Sequence, residues 1–236
     1  NLELQRRRGY METSCERYYK FFDPYPKLKK AVKPDMVARI ASGPLKLLLR
    51  IGDLVLTAGK IDPMSIDKIE SFDPRFDELN SRIAGKIGIC VNKTSKYLNW
   101  RYLDKPFGGF DVFAASKNGI LLGFIVLSIT AKSDSVDGTI VDIMTDPDDR
   151  QTISALLKTA VIFFKKQGVQ AIRCCMSDGR YAGVLKKFLF FKDHIKREPV
   201  MMANLDKCQD KSDIARIENW HLTYGASDEL MFDSLE

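Results

Sequence analysis

An aspartate stands in the middle of an apolar strand pattern, GTIVDIMT (138–145), flanked by Val141 and Ile143. Strand alternation sends those two neighbours to the face opposite Asp142. A carboxylate there is either a proton acceptor aimed into a cleft or a structural hydrogen-bond acceptor, because its burial must be compensated. The chain then runs into DPDDRQTIS (146–154), where free amides and the dipole of a starting helix favour an anion. Asp146, Asp148 and Asp149 oppose one, while Arg150 favours it. Arg101, beside Trp100, either grips an anionic or sugar group bidentately or pairs with Asp104 or Asp228 to fix a helix to a sheet. His221 lies near Asp228 at the end of the chain, but a histidine outside a recognisable triad is more often structural. No Gly-x-Ser-x-Gly elbow supports hydrolase chemistry. Neither His194 nor His221 stands near a cysteine pair with metal spacing, so no zinc site is expected.

The elements that must position these residues follow from periodicity. SFDPRFDELNSRIAG repeats Phe72, Phe76, Leu79 and Ile83 at helical spacing and closes on Gly85. NKTSKYLNWRYLDKP is a second helix, capped by Thr94 or Ser95, with Tyr97, Trp100 and Arg101 at neighbouring positions of one face. Residues 109–116 and 118–132 form an antiparallel pair turning at Asn118-Gly119, and 138–145 is a third strand. A long helix with an apolar stripe from Ile153 to Phe164 ends at Gly168. VQAIRCCMS is then a strand and DGRYAGVLKKFLF a helix, with HIKREPVMMANL and NWHLTYGAS as two last strands. The order describes a mixed sheet with helices against it.

Composition bounds the rest. A chain of 236 residues with 45% hydrophobic content buries a full core without crosslinks. Five cysteines, an odd number, read as buried thiols of a reducing compartment, and no stretch is long and apolar enough to span a bilayer. The net charge of +6 is local. Residues 1–50 hold 12 basic and 5 acidic residues, leaving 25 basic against 26 acidic in the remainder. Nucleic acid is therefore not expected, since the body offers no basic-aromatic groove or recognition helix. Lys46 and Arg50 lie four apart within the leucine-rich 43–58, an amphipathic helix suited to a membrane surface, a partner domain or solvent.

The order of elements resembles the acetyltransferase fold of the GNAT superfamily. NKTSKYLNWRYLDKP, GTIVDIMTD and NWHLTYGASDEL resemble more particularly the C-terminal domain of tandem GNAT-like acyltransferases linked to bacterial polysaccharide or cell-envelope synthesis. The resemblance implies an α/β fold, a mixed and mostly antiparallel sheet flanked by helices. It also implies a GNAT-like domain over 71–234, preceded at 1–70 by a basic, partly helical linker and the tail of a preceding GNAT-like domain. The implied reaction moves an acyl group from acetyl-CoA or another acyl-CoA to a small-molecule amine, such as an amino sugar or envelope precursor, in the cytoplasm.

By the same resemblance the donor lies between 138–145 and VQAIRCCMS, touching Ile143, Thr145, Arg150, Gln151, Thr152 and Ser154. Asp142 takes the amine proton, Tyr181 protonates the leaving thiolate, and Trp100, Arg101, His221 and Asp228 face the acceptor. The sequence departs from the family at two places. Asp149, Thr152 and Ser154 stand where the family's diphosphate loop carries a basic or amide residue and two small ones, usually glycine. The family's tyrosine lies four residues before a Gly-Phe pair. Matching that pair to Leu189-Phe190 puts Leu185 there, and matching it to Phe190-Phe191 puts Lys186 there, so Tyr181 comes one turn early. A catalytically inactive domain, serving as scaffold or ligand-binding half of a tandem protein, is the alternative reading.

Overall fold

A computed structural model describes residues 7, 10–13, 15–25, 28–29, 33, 35–58, 64–104, 109–131, 135–193, 201–204 and 216–226. Strands β2 (Arg17–Phe21), β3 (Ser65–Ile69), β4 (Phe110–Lys117), β5 (Ile120–Ala131), β6 (Val136–Thr145), β7 (Ala171–Cys175) and β8 (Phe191–Lys192) form one sheet in the order β3-β4-β5-β6-β7-β2-β8. Neighbours are antiparallel except β6 and β7. That parallel step follows from the connection: β6 feeds helix α4 (Arg150–Lys166), and a strand returning through a helical crossover runs parallel to the one it left. This is a mixed, mostly antiparallel sheet flanked by helices, as the resemblance implies. Strands β1 (Tyr10–Thr13) and β9 (Met201–Asn204) pair separately.

Two apolar layers hold the sheet. On one face α4 and helix α5 (Gly179–Lys187) bury Ile153, Leu157, Val161, Phe164 and Leu185 against Ile125, Leu127, Ile140 and Ile143. Gly138 admits Phe164 to the strand backbone, since a Cβ there would lie 2.7 Å from the ring. On the other face helix α2 (Arg75–Ile83) and helix α3 (Ser95–Leu98), which continues as a π-turn (Asn99–Leu103), pack on Phe124, Val126, Val141 and Met144. Phe72, Phe76, Leu79 and Ile83 are all buried here, as their spacing requires. Thr94 caps α3 by accepting from the amide of Tyr97, and the β4–β5 turn places Asn118 and Gly119 at φ 52° and 80°.

Three features differ from the sequence reading. The described part of NWHLTYGAS, 219–226, is no strand: 3₁₀ turns lie at Ile217–Asn219 and Tyr224–Ala226, with a bridge between Ile89 and Trp220. The edge of β7 away from β6 is taken by β2. The first 70 residues supply helix α1 (Asp35–Ala58) and also two strands of the sheet, β2 and β3. Cys15 and Cys175 are joined in a disulfide rather than free, because the antiparallel β2–β7 pairing sets Arg17 opposite Cys175 and so brings Cys15, two residues before β2, to the end of β7. Among the described residues Cys90 and Cys174 are free.

Candidate active site

Strands β6 and β7 pair only over Asp137–Ile140 and Ala171–Cys174; beyond Ile140 they diverge. A β-bulge sits where they part, since Val126 pairs with Asp142 and Leu127 with Ile140, leaving Val141 as the extra residue. The bulge breaks alternation. Ile140 and Ile143 face α4, whereas Val141 packs with Met144 and Tyr102 on the α2 side, and Asp142 bonds to that same Tyr102. Val141 is thus not opposite Asp142, as a regular strand would have it.

Asp142 is fully buried and completely engaged. Lys93 Nζ donates to Oδ1 at 2.6 Å, Thr223 Oγ1 to Oδ1 at 2.9 Å and Tyr102 Oη to Oδ2 at 2.8 Å. Burial raises its pKa, but the Lys93 charge and these hydrogen bonds outweigh that and hold it below the usual carboxylate value. Gly225 is required alongside, because a Cβ would lie 2.2 Å from Tyr102 Oη and 3.0 Å from Asp142 Oδ2. The carboxylate is ionised, paired and out of solvent reach. Its three partners, Lys93, Tyr102 and Thr223, carry no sequence signal of their own, although Tyr102 sits beside the conspicuous Trp100-Arg101 pair.

The divergence of β6 from β7 strands backbone groups on β6, and two side chains take them. Tyr181 Oη donates to the Thr145 carbonyl at 2.8 Å and accepts from its amide at 3.0 Å, and His221 Nε2 lies 3.0 Å from the Ile143 carbonyl. The two rings pack 5.0 Å apart and both are buried. A carbonyl only accepts, so Nε2 carries the imidazole hydrogen, and among the described residues Nδ1 has no partner. Burial, with the Lys93 charge nearby, lowers the His221 pKa to about 4. Burial pushes the Tyr181 phenol well above its ordinary value. Between the strands remains an apolar seam of about 180 Å³, lined by Ile143, Ile153, Leu157, Cys174, Met176, Tyr181 and Leu185, too thin for a water molecule.

The start of α4 is closed in the same way. Asp149 Oδ1 accepts from the amides of Gln151 (3.2 Å) and Thr152 (3.0 Å), and Oδ2 from Thr152 Oγ1 at 2.6 Å. Lys86 pairs with Asp146, and Arg180 with Asp178 (2.8 Å) and Asp148 (3.6 Å). Arg150 and Gln151 are exposed, and Ser154 Oγ donates back to the Arg150 carbonyl at 2.6 Å. An acyl-CoA needs amides for its diphosphate and a slot for its pantetheine arm. The amides of Gln151 and Thr152 face Asp149, and the slot is filled by Tyr181, His221 and Leu185. The residues present do not fit that donor.

Asp142, Ile143, Thr145, Tyr181 and His221 are thus brought together, while Arg150, Gln151, Thr152 and Ser154 lie at the neighbouring helix start. Trp100 and Arg101 part company across the π-turn: Trp100 is exposed and Arg101 buried. Asp228 lies outside the described residues.

No family model matches the chain, and no curated protein matches it. Solved structures do. An aminoglycoside acetyltransferase from an uncultured soil metagenomic sample is 19% identical, with a TM-score of 0.36, over 48% of this chain and 78% of that one. The glucosamine N-acetyltransferase region of a fungal multi-domain beta-N-acetylglucosaminidase is 18% identical over 49% of this chain and 14% of that one, with a TM-score of 0.37. Ribosomal-protein-alanine N-acetyltransferase from Brucella melitensis biovar Abortus 2308 is 14% identical over 46% of this chain and 76% of that one, also with a TM-score of 0.37.

Proposed function

We propose that the chain serves the transfer of an acyl group from an acyl-CoA to an amine, such as that of an amino sugar or envelope precursor, as the non-catalytic half of a tandem GNAT-type polypeptide. The fold supports the reaction class. One observation carries the division of labour: Tyr181 and His221 occupy the β6 backbone groups where the strands diverge. The proposed base and acid are both spent on structure, Asp142 on Lys93, Tyr102 and Thr223, and Tyr181 on Thr145. The role left to this half is to present surfaces, and a second GNAT-type domain holds the donor and performs the chemistry in the cytoplasm.

Titration calorimetry and thermal melting with acetyl-CoA test this. A ligand that binds the folded state at a hundred times its dissociation constant stabilises it by about 2.7 kcal/mol. No heat and no melting shift at millimolar acetyl-CoA is the expected result. A saturable shift that Tyr181→Phe alters would return the donor site to this domain, with Tyr181 and His221 as groups that swing aside.

A further inference from the structure

Helix α1 has two apolar faces, and the described residues bury only one. Ala38, Leu49 and the buried Asp53 lie on the covered side, where Asp53 pairs with Lys20 at 2.5 Å and Lys165 at 3.1 Å. Met36, Ile40, Leu47, Ile51, Leu54 and Val55 fall within about a third of the helix circumference on the other side, at 3.6 residues per turn. All six are exposed, Leu54 by 68% and Val55 by 69%. A contiguous apolar stripe of that length is not left bare on a solitary soluble surface.

Charge selects what covers it. Arg39, Lys46 and Arg50 recur along one border of the stripe, between it and the domain, and α1 carries only two acids, Asp35 in its first turn and the buried Asp53. Arg39 pairs with Asp35 at 3.0 Å and Lys46 with Asp23 at 2.7 Å, contacts on partly exposed side chains that solvent screens. Lys46, Arg50 and Lys165 also line a cavity of about 370 Å³ beneath that border. A second copy is a poor match. An antiparallel pair of α1 helices sets each cationic border against its own twin, and a parallel pair sets it against Ala41, Leu48 and Gly52, which bring no acid. An anionic surface meets both the stripe and its border.

We propose that α1 is an interfacial helix that lays this stripe into a membrane carrying anionic lipid, with Arg39, Lys46 and Arg50 at headgroup level. No described helix is long and apolar enough to cross a membrane, so α1 lies on the surface. This docking does not depend on the closed donor cleft.

Flotation of the 236-residue chain with vesicles tests it. Vesicles of phosphatidylcholine mixed with phosphatidylglycerol carry the protein upward, and phosphatidylcholine alone does not. Leu54→Asp, at a position 68% exposed, weakens the binding by about tenfold or more. Arg50→Gln weakens it about fivefold at low ionic strength and less at high salt. Equal binding to both vesicle types, absence of flotation, or indifference to Leu54→Asp overturns the proposal. A dimer in sedimentation velocity that Leu54→Asp dissolves assigns the stripe to a second copy and overturns it equally.

Discussion

Tyr181 reaches across from α5 and closes both backbone groups of Thr145 with a single hydroxyl, donating to the carbonyl at 2.8 Å and accepting from the amide at 3.0 Å. Thr145 is the last residue of β6, beyond the point where β7 turns away. In an unbroken sheet a neighbouring strand would bond those groups. Here a side chain substitutes for the strand, and the wedge that a ligand would need is spanned by protein.

Tyr181→Phe keeps the ring packing and removes the hydroxyl, leaving a buried amide and carbonyl without a partner. Each stranded group costs about 1–3 kcal/mol. Urea denaturation should show the midpoint falling by that scale with the slope unchanged. A Tyr181 poised as a catalytic acid would be dispensable for folding, and unchanged stability would contradict the structural role.

His221 makes stability depend on pH. Its pKa is about 4 in the folded protein against 6.5 for the ordinary side chain, so between those values the unfolded chain binds a proton that the folded chain does not. Stability therefore rises with pH across this window and is lost as pH falls from 6.5 towards 4, by about 3 kcal/mol in total. The groups around the ring are Lys93, which opposes its protonation, Asp142 and Asp178, which favour it, and the ring of Tyr181, tilted against it 5.0 Å away. Melting temperatures of wild type and His221→Gln, compared from pH 7 to 4.5, should converge as pH falls. Parallel curves would refute the assignment.

The sequence announces the elements more clearly than their interactions. Phe72, Phe76, Leu79 and Ile83 declare a helix because one period governs four residues, and Asn118-Gly119 declares a hairpin because I′ geometry needs φ above zero twice. Asp142 is conspicuous for the same local reason, a charge inside an apolar run. Its partners are not, since Tyr102, Lys93 and Thr223 stand 40, 49 and 81 residues away and no local pattern joins them. The β-bulge at Val141 is equally silent in sequence, although it decides which way Asp142 faces. The disulfide escaped because Cys15 and Cys175 are 160 residues apart and only the β2–β7 pairing brings them together.

The Lys93–Asp142 pair is fully desolvated, which makes removal of either partner expensive. Lys93→Met leaves an unpaired buried carboxylate and should cost about 3–5 kcal/mol. Asp142→Asn preserves shape yet strands the ammonium, with a loss of the same order. In the double variant Lys93→Met, Asp142→Asn no net charge remains buried, so the double loss should be smaller than the sum of the singles. Chemical denaturation of the four proteins forms the cycle. Additive losses would show that the two groups act independently.

Leu189 tests why α5 ends as it does. It holds φ at 60°, the left-handed region where glycine is the usual residue. That conformation costs a residue with a Cβ about 1–2 kcal/mol. The leucine is kept for its reach, because its Cδ1 lies where a Cβ on Gly52 of α1 would come within 2.8 Å, so it packs directly on the helix that bears the apolar stripe. Leu189→Gly trades that contact for relief of strain, and its stability should stay within about 1 kcal/mol of wild type. Leu189→Ala keeps the strain, loses the contact and should be the less stable of the two. Both variants should speed amide exchange in α1 around Gly52, since each removes the side chain that anchors it. Slower unfolding of Leu189→Ala than of Leu189→Gly, or unchanged exchange in α1, would show that the leucine neither strains the turn nor holds the helix.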